Sequence, residues 1–170
     1  MPSMKILLIA GGWSSEREVS LTGARGMQEA LVRRGHAVTF FDLLEHFDDL
    51  LETARQHDFA LINLHGSPGE DGLVQAMLEK ADCPYQGSGP SGSFLALNKA
   101  AAKQIFRMAG LPTADWEFLP VRPAAGWEPR LPWPLFVKST TGGSSLRLGR
   151  AANRQELDAA RQRLSVLREL

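Results

Sequence analysis

The sequence is poor in cysteine, with Cys83 as its one thiol among 170 residues. A single thiol excludes an internal disulfide framework and favours a reducing compartment, so the cytoplasm is the expected location. No acidic or histidine cluster flanks Cys83. We therefore interpret it as a small buried apolar residue rather than a nucleophile.

The sequence also lacks an excess of charge and a long apolar run. Nineteen basic and nineteen acidic side chains cancel, and no basic stripe is present, so we expect neither nucleic acid nor a membrane surface as a partner. The apolar segment at residues 4–10 is about seven residues long. A membrane-spanning helix needs ~20 residues, so no membrane span is predicted.

The dinucleotide-binding fingerprint is absent as well. Gly11-Gly12 follow the first apolar run, but the Gly-x-Gly-x-x-Gly spacing is missing, which argues against a nicotinamide cofactor. The turn instead carries Glu16 and Glu18. A carboxylate at the end of a strand can hold a substrate ammonium group through a charge-assisted hydrogen bond. Alternatively, both acids complement the dipole at a helix N-terminus.

What the sequence does contain is an alternation of apolar runs and helical stripes. Strands are predicted at residues 4–10, 37–41 and 59–64, and helices at 19–34, 45–57 and 73–80. This rhythm predicts an open parallel α/β sheet with ligands beyond the carboxyl ends of its strands.

A segment rich in glycine, proline and serine at residues 87–92 predicts a domain boundary. We therefore expect an α/β domain at residues 1–88 and a smaller α+β domain at residues 89–170. The second domain is predicted to contain helices at 98–110 and from 154, and extended segments near 114–119, 135–138 and 146–149.

Two further loops carry polar side chains among glycines. In the first, at residues 65–72, His65 either donates to a substrate carboxylate or phosphate or is bonded to backbone. Its neighbours Glu70 and Asp71 are predicted to accept backbone N–H bonds at the next helix rather than to ligate a metal. In the second, Lys138 is followed by a glycine–serine loop, which is typical of a phosphate-binding turn or of a flexible loop.

Together these loops resemble those of one family. The motifs are Gly-Gly-x-Ser-Ser-Glu-Arg-Glu-Val-Ser-Leu at 11–21, Leu-His-Gly-x-x-Gly-Glu-Asp-Gly-x-x-Gln at 64–75, Pro-Tyr-x-Gly-Ser-Gly at 84–89, Lys99, Ala-Gly-Leu-Pro at 109–112, Val-Lys at 137–138 and Gly-Ser-Ser at 143–145. Their order and spacing, from about residue 5 to 164, resemble the amino-terminal half of the D-alanine–D-alanine ligases of the ATP-grasp superfamily.

The resemblance implies a Rossmann-like pre-ATP-grasp domain followed by part of an ATP-grasp domain. It also implies a reaction in which ATP phosphorylates the carboxylate of one D-alanine and the amine of a second attacks the acyl phosphate, for peptidoglycan synthesis. ATP and Mg²⁺ are the implied cofactors, with the metal ligands in a carboxyl-terminal part outside this sequence. A homodimer through the first domain is implied too, and the 170 residues alone are not expected to catalyse ligation.

The resemblance also assigns residues to the first substrate. Glu16 would anchor the ammonium group of the first D-alanine, and Val19 would line the same pocket. His65 would lie close to this substrate. Ser144 would join Glu16 in a hydrogen-bond network that closes the site, so these two are the implied catalytic residues.

The ATP phosphates are assigned to the second domain. Lys99 and Lys138 would contact them, and Gly143, Ser144 and Ser145 would form a mobile loop over them. The chain departs from the family pattern at four positions. Ser139 replaces a proline, Gly142 a glutamate, Asn98 an aspartate and Ala76 a glycine.

Two other functions remain open at this point. The chain could come from another ATP-grasp carboxylate–amine ligase with a different acceptor, or it could be a non-catalytic module that retains a ligand pocket.

Overall fold

A parallel three-stranded sheet, with β1 at its centre, organises the first part of the chain. The computed structural model describes residues 2–121, 123–124, 126–142 and 148–166. Strand β1 spans Lys5–Ala10 and pairs on one side with β2, Ala37–Asp42, and on the other with β3, Phe59–Ile62. The predicted open parallel sheet is therefore confirmed.

The central strand is buried on both faces, which explains its nearly unbroken apolar sequence. Leu7 and Ile9 belong to one core cluster, which also contains Leu50 and Leu78 from two helices. Leu8, on the opposite face of β1, packs with Ala10 and with Ala24 of the first helix. The two clusters hold the end of β1 in place.

Helix α1 spans Arg17–Arg33 and begins two residues before its predicted start. Arg34 is its C-cap, and the next residue, Gly35, has a left-handed φ of 86°. Glycine at this position lets the chain leave the helix, as the sequence predicts.

The single helix predicted at residues 45–57 is wrong. The structure has helix α2 at Leu43–His46, a 3₁₀ turn at Phe47–Asp49 and helix α3 at Leu50–Ala54. The break falls at His46, whose φ of −128° lies outside the helical region, and there its ring packs against Phe41 at 5.8 Å between centroids. Tertiary packing therefore overrides the helical periodicity of this segment.

Helix α4 spans Leu73–Lys80 as predicted. Cys83, after this helix, is buried, and burial raises the pKa of its thiol.

The segment at 87–92 is not a simple linker, because helix α5 begins within it and spans Pro90–Leu97. Proline is favoured at a first helical position, since its φ is already helical.

The structure divides into two compact units, Met1–Leu97 and Asn98–Leu170. The boundary that the sequence suggests at residue 88 stays a prediction.

The second unit contains helix α6 at Lys99–Met108, strands β4 at Leu135–Lys138 and β5 at Leu148–Ala151, and helix α7 at Arg154–Val166. The two strands pair antiparallel, with Lys138 opposite Leu148. Of the segment predicted to be extended at 146–149, residues 146 and 147 lie outside the described part of the chain.

The segment at 114–119 forms no strand in the described structure. Side chains of α6 instead donate a hydrogen bond to its backbone and contact its aromatic ring. The carbonyl of Ala114 accepts a 2.6 Å bond from Lys103 Nζ, and the Trp116 ring lies against Lys103 and Arg107 at 5.3 and 5.1 Å.

A bidentate ion pair fastens the start of α1 to the end of β2. The two terminal nitrogens of Arg17 donate to the carboxylate oxygens of Asp42 at 2.7 and 2.6 Å. The same carboxylate caps α2 by accepting from the N–H of Leu44 at 3.1 Å. The pair covers Gly11, where a Cβ would lie only 2.5 Å from both partners, so glycine is required there.

Gly72→Ala is expected to destabilise the first unit. Gly72 has a φ of 92°, and an added Cβ would lie 2.4 Å from the carbonyl oxygen of Pro90. The left-handed backbone alone costs an L-residue ~1–2 kcal/mol. Urea unfolding measures the loss. Gly26→Ala is the matched control, because nothing lies within 4 Å of its Cβ position, and removing a helical glycine stabilises by roughly 0.5–1 kcal/mol. Equal changes in the two variants would contradict this packing.

Asp42→Asn is expected to change the dependence of stability on pH. The hydrogen bond from Arg17 lowers the pKa of Asp42. The resulting stabilisation is fully present above the unfolded-state carboxyl pKa of ~3.9 and is lost as pH falls through the lower folded-state value. The variant should therefore be less stable at pH 7, and the difference should shrink below pH ~4.

Urea titrations between neutral and acid pH measure this difference. Asp48→Asn, at an exposed position of the neighbouring turn, is the control and should leave the curve unchanged. A difference between Asp42→Asn and the unmodified protein that stays constant with pH would contradict the role of the ion pair.

Candidate functional site

The loop after β1 presents Glu16 immediately before α1. Gly11 and Gly12 both adopt left-handed φ values, 77° and 76°, which turn the chain sharply away from the sheet. Ser14 then orders the loop, because its hydroxyl accepts from the N–H of Glu16 and its carbonyl accepts from the N–H of Arg17, each at 3.2 Å. Ser14 thus fixes the backbone of the partly buried Glu16 and of the residue after it.

The loop after β3 is ordered by its own glycines and acids. His65 is partly buried, and Gly66 after it has a left-handed φ of 66° and accepts a 2.8 Å bond from the N–H of Glu70. Asp71 accepts from the N–H of Leu73 at 3.0 Å, which confirms its predicted role at the start of α4. The same role for Glu70 stays a prediction.

Gln75 of α4 also fixes this loop. Its amide Nε2 donates to the carbonyl of Gly69 at 2.6 Å from a buried position. Gly69 itself fits tightly, because a Cβ there would lie 2.2 Å from the Cβ of Leu64. The loop is therefore packed onto the end of β3.

The two loops meet at the carboxyl edge of the sheet. A Cβ on Gly66 would lie 3.7 Å from Oε2 of Glu16 and 3.5 Å from the Cβ of Ser14. The Glu16 carboxylate therefore lies within van der Waals range of the position that a Cβ on Gly66, the residue after His65, would occupy. The structure brings together two loops that the sequence separates by about fifty residues.

The chemistry of this edge suits a small zwitterion with an apolar group. Glu16 supplies an acceptor for an ammonium group, and partial burial strengthens such a charge-assisted bond. Val19, three residues along on α1, is 61 % exposed and offers an uncovered apolar side chain. His65 supplies an imidazole that can donate or accept.

Sequence reasoning missed two buried polar residues behind these loops, Ser20 and Asn63. Ser20 lies in the first turn of α1, and Asn63 follows β3 directly. A signal was available, since Asn63 interrupts an apolar run just before His65, and an unexplained polar residue in such a run indicates a specific hydrogen bond.

In the second unit, the structure places Lys99 beside the start of the glycine-rich loop. Lys99 Nζ donates to the carbonyl oxygen of Gly142, and its backbone N–H donates to the carbonyl of Thr140 at 2.9 Å. Asn98 caps α6 by accepting from the N–H of Ala101 at 3.1 Å. Asparagine and aspartate are equally good caps, so this departure from the family pattern preserves the helix start.

Lys99 and Lys138 form one positive region. Burial lowers the pKa of Lys99, and the positive charge of Lys138 lowers it further. Lys138 is exposed at the end of β4. A lysine whose charge is disfavoured by burial and by a second lysine is a ready counter-charge for an anion such as a phosphate. The three loop residues predicted to join them, Gly143, Ser144 and Ser145, lie outside the described residues.

The described ranges contain no group of three or more histidine, cysteine, aspartate or glutamate side chains that could hold a metal ion. In the same ranges, no helix combines the length and apolarity needed to cross a bilayer.

Comparison of the sequence with known proteins identifies its relatives. No family model matches the chain. The D-alanine–D-alanine ligase of Desulfovibrio desulfuricans is 77 % identical over 155 residues, which are 91 % of this chain and 51 % of that protein. The ligase of Nitratidesulfovibrio vulgaris is 66 % identical over 157 residues, covering 92 % of this chain and 52 % of that protein.

Solved structures agree in fold. The D-alanine–D-alanine ligase of Bacillus anthracis is similar with a TM-score of 0.81 and 34 % sequence identity, over 95 % of this chain and 54 % of that one. The same ligase complexed with ATP is similar with a TM-score of 0.82 at 34 % identity, over 95 % and 55 %. The chain spans about half the length of the curated relatives it matches. By sequence and by fold, the chain is thus a relative of the D-alanine–D-alanine ligases over that half.

Proposed function

We propose that this chain provides the first-substrate pocket and part of the ATP phosphate site of an ATP-dependent D-alanine–D-alanine ligase. In the proposed reaction, the γ-phosphoryl group of ATP passes to the carboxylate of one D-alanine. The amine of a second D-alanine then attacks this acyl phosphate, the C–O bond to the phosphate breaks, and inorganic phosphate leaves. The product is D-alanyl-D-alanine for peptidoglycan, made in the cytoplasm.

The observation that carries the proposal is the approach of the Glu16 carboxylate to Gly66 at the carboxyl edge of the sheet. It supports a pocket in which Glu16 holds the ammonium group of the first D-alanine, Val19 contacts its methyl group and His65 lies beside it. Ser144 is proposed as the second catalytic residue. Holding the substrate in one orientation is a large part of catalysis, because it removes the entropy of alignment at the moment of reaction.

The phosphate site is proposed to use Lys99 and Lys138, with Gly143, Ser144 and Ser145 covering the nucleotide. Transfer of a phosphoryl group depends mainly on positioning and on neutralising charge, which two neighbouring lysines supply. The release of Lys99 Nζ from the Gly142 carbonyl on ATP binding would make its charge available. We also propose that Mg²⁺ accompanies the ATP, with its ligands outside these 170 residues.

The full-length protein is expected to form ADP in a D-alanine-dependent manner. Glu16→Gln should raise the KM for the first D-alanine by the equivalent of ~1.5–3 kcal/mol, because a hydrogen bond to a charged group is lost. The KM for ATP should change little. Initial rates of ADP formation at varied D-alanine and ATP measure both constants.

Glu18→Gln is the matched control, because Glu18 lies exposed in the first turn of α1, two residues after Glu16. It should leave both constants unchanged. Equal rises in the two constants for Glu16→Gln would show a structural rather than a substrate-binding role. ADP formation with D-lactate or glycine as the favoured acceptor would point instead to another carboxylate–amine or carboxylate–hydroxy acid ligase. The absence of any ADP formation would favour a non-catalytic module.

We further propose that the first unit forms a homodimer. An open apolar groove of about 620 Å³ lies on this unit, lined by Asp71, Gly72, Leu73, Pro90, Ser91, Phe94 and Leu95. Phe94 is 55 % exposed there. A second copy of the chain is the proposed occupant, because the resemblance to the D-alanine–D-alanine ligases implies a homodimer through the first domain.

Phe94→Asp is expected to convert the dimer to a monomer, because it would bury a charge in an apolar interface. Light scattering after gel filtration measures the mass. Val32→Asp, at a similarly exposed apolar position on α1 (56 %), is the control and should remain dimeric. A monomeric unmodified protein, or a dimeric Phe94→Asp variant, would contradict the proposed interface.

A further inference from the structure

We propose that Ser20 and Asn63 are positioning residues that set the spacing between Glu16 and His65 in the first-substrate pocket. We name this pair of buried side chains the Ser20–Asn63 latch. The proposal rests on the function proposed above, and it concerns residues that neither contact the substrate themselves nor belong to the loops that do.

The latch joins three segments through reciprocal hydrogen bonds. The hydroxyl of Ser20 donates to the carbonyl of Asn63 and accepts from the N–H of Gly11 at 2.8 Å. The side-chain amide of Asn63 returns a bond to the carbonyl of Ser20 at 2.6 Å. Because Ser20 is fully buried and Asn63 only 7 % exposed, water cannot replace these bonds without opening the core.

The two latch residues lie close in sequence to the residues that form the proposed pocket. Ser20 follows Val19 directly, and its N–H donates to the carbonyl of Glu16 at 3.1 Å. Asn63 lies two residues before His65, and its N–H is bonded to the carbonyl of Ile9 in β1 at 2.8 Å. The latch therefore ties the turn that carries Glu16 directly to the strand end that carries His65.

Gly23, one turn farther along α1, is matched to the latch. A Cβ on Gly23 would lie 3.1 Å from Nδ2 of Asn63, which is tighter than ordinary van der Waals contact. The glycine thus makes room for the amide of Asn63 within a helix, where glycine is otherwise unfavourable. Removing the amide would free this space for a methyl group.

Because Gly23 is matched to Asn63, variants at these two positions can separate an effect on protein stability from an effect on the position of the binding groups. In the full-length protein, Asn63→Ala is expected to lower the Tm and to raise the KM for the first D-alanine roughly 10–100-fold, since small misplacements of binding groups have effects of that size. The KM for ATP should stay the same. The double variant Asn63→Ala/Gly23→Ala should regain part of the lost Tm, because alanine is the better helix former. Its KM for the first D-alanine should remain raised.

Ala54→Gly is the control for lost stability alone. Ala54 is buried in α3 within the core cluster on the other face of the sheet, and its substitution should lower the Tm without changing either KM. The proposal is overturned if Asn63→Ala leaves the KM for D-alanine unchanged, or if the double variant restores that KM together with the Tm. It is also overturned if the KM for ATP rises equally.

These outcomes are distinct from a failure of the proposed function. If the unmodified full-length protein forms no ADP with D-alanine, the proposed function fails and the latch has no pocket to position. If the unmodified protein is active and Glu16→Gln raises its KM for D-alanine, but Asn63→Ala does not, the latch alone is wrong.

Discussion

The burial of β1 on both faces is the constraint on which the rest of the first unit depends. Apolar side chains cover Leu7 and Ile9 on one face and Leu8 on the other, so the strand can neither slip nor tilt without exposing core. Because β3 runs parallel to it, both strands end at the same edge. Two loops far apart in sequence therefore open side by side, which is the general reason that parallel sheets bind ligands there.

Polar contacts then fix the position of the start of α1, which the apolar core alone determines only approximately. Arg17 and Asp42 hold the start of α1 against the end of β2, and the Ser20–Asn63 latch holds it against the end of β3. Both connections use residues in the first turn of α1, directly after Glu16. Such a layered arrangement fixes a binding group through residues whose own positions are set by packing, as precise sites require.

The sequence predicts the parts of this structure that follow from local pattern. The apolar run of β1, the glycine after α1 and the cap at Asp71 are all legible from residue type and spacing. The break at His46 and the missing strand at 114–119 are not, because both depend on tertiary partners such as Phe41 and Lys103. For the same reason, the glycine motifs predict where the two loops lie in the chain. The hydrogen bonds between Ser20 and Asn63, which connect the two loops, are seen only in the structure.

The most direct test of this account is a crystal structure of the full-length protein with D-alanine and a non-hydrolysable ATP analogue. The account predicts the ammonium group of one D-alanine within hydrogen-bond distance of the Glu16 carboxylate, ~2.7–2.9 Å, with the Val19 side chain against its methyl group. A D-alanine ammonium group held by other residues, with Glu16 turned away from the ligand, would contradict it.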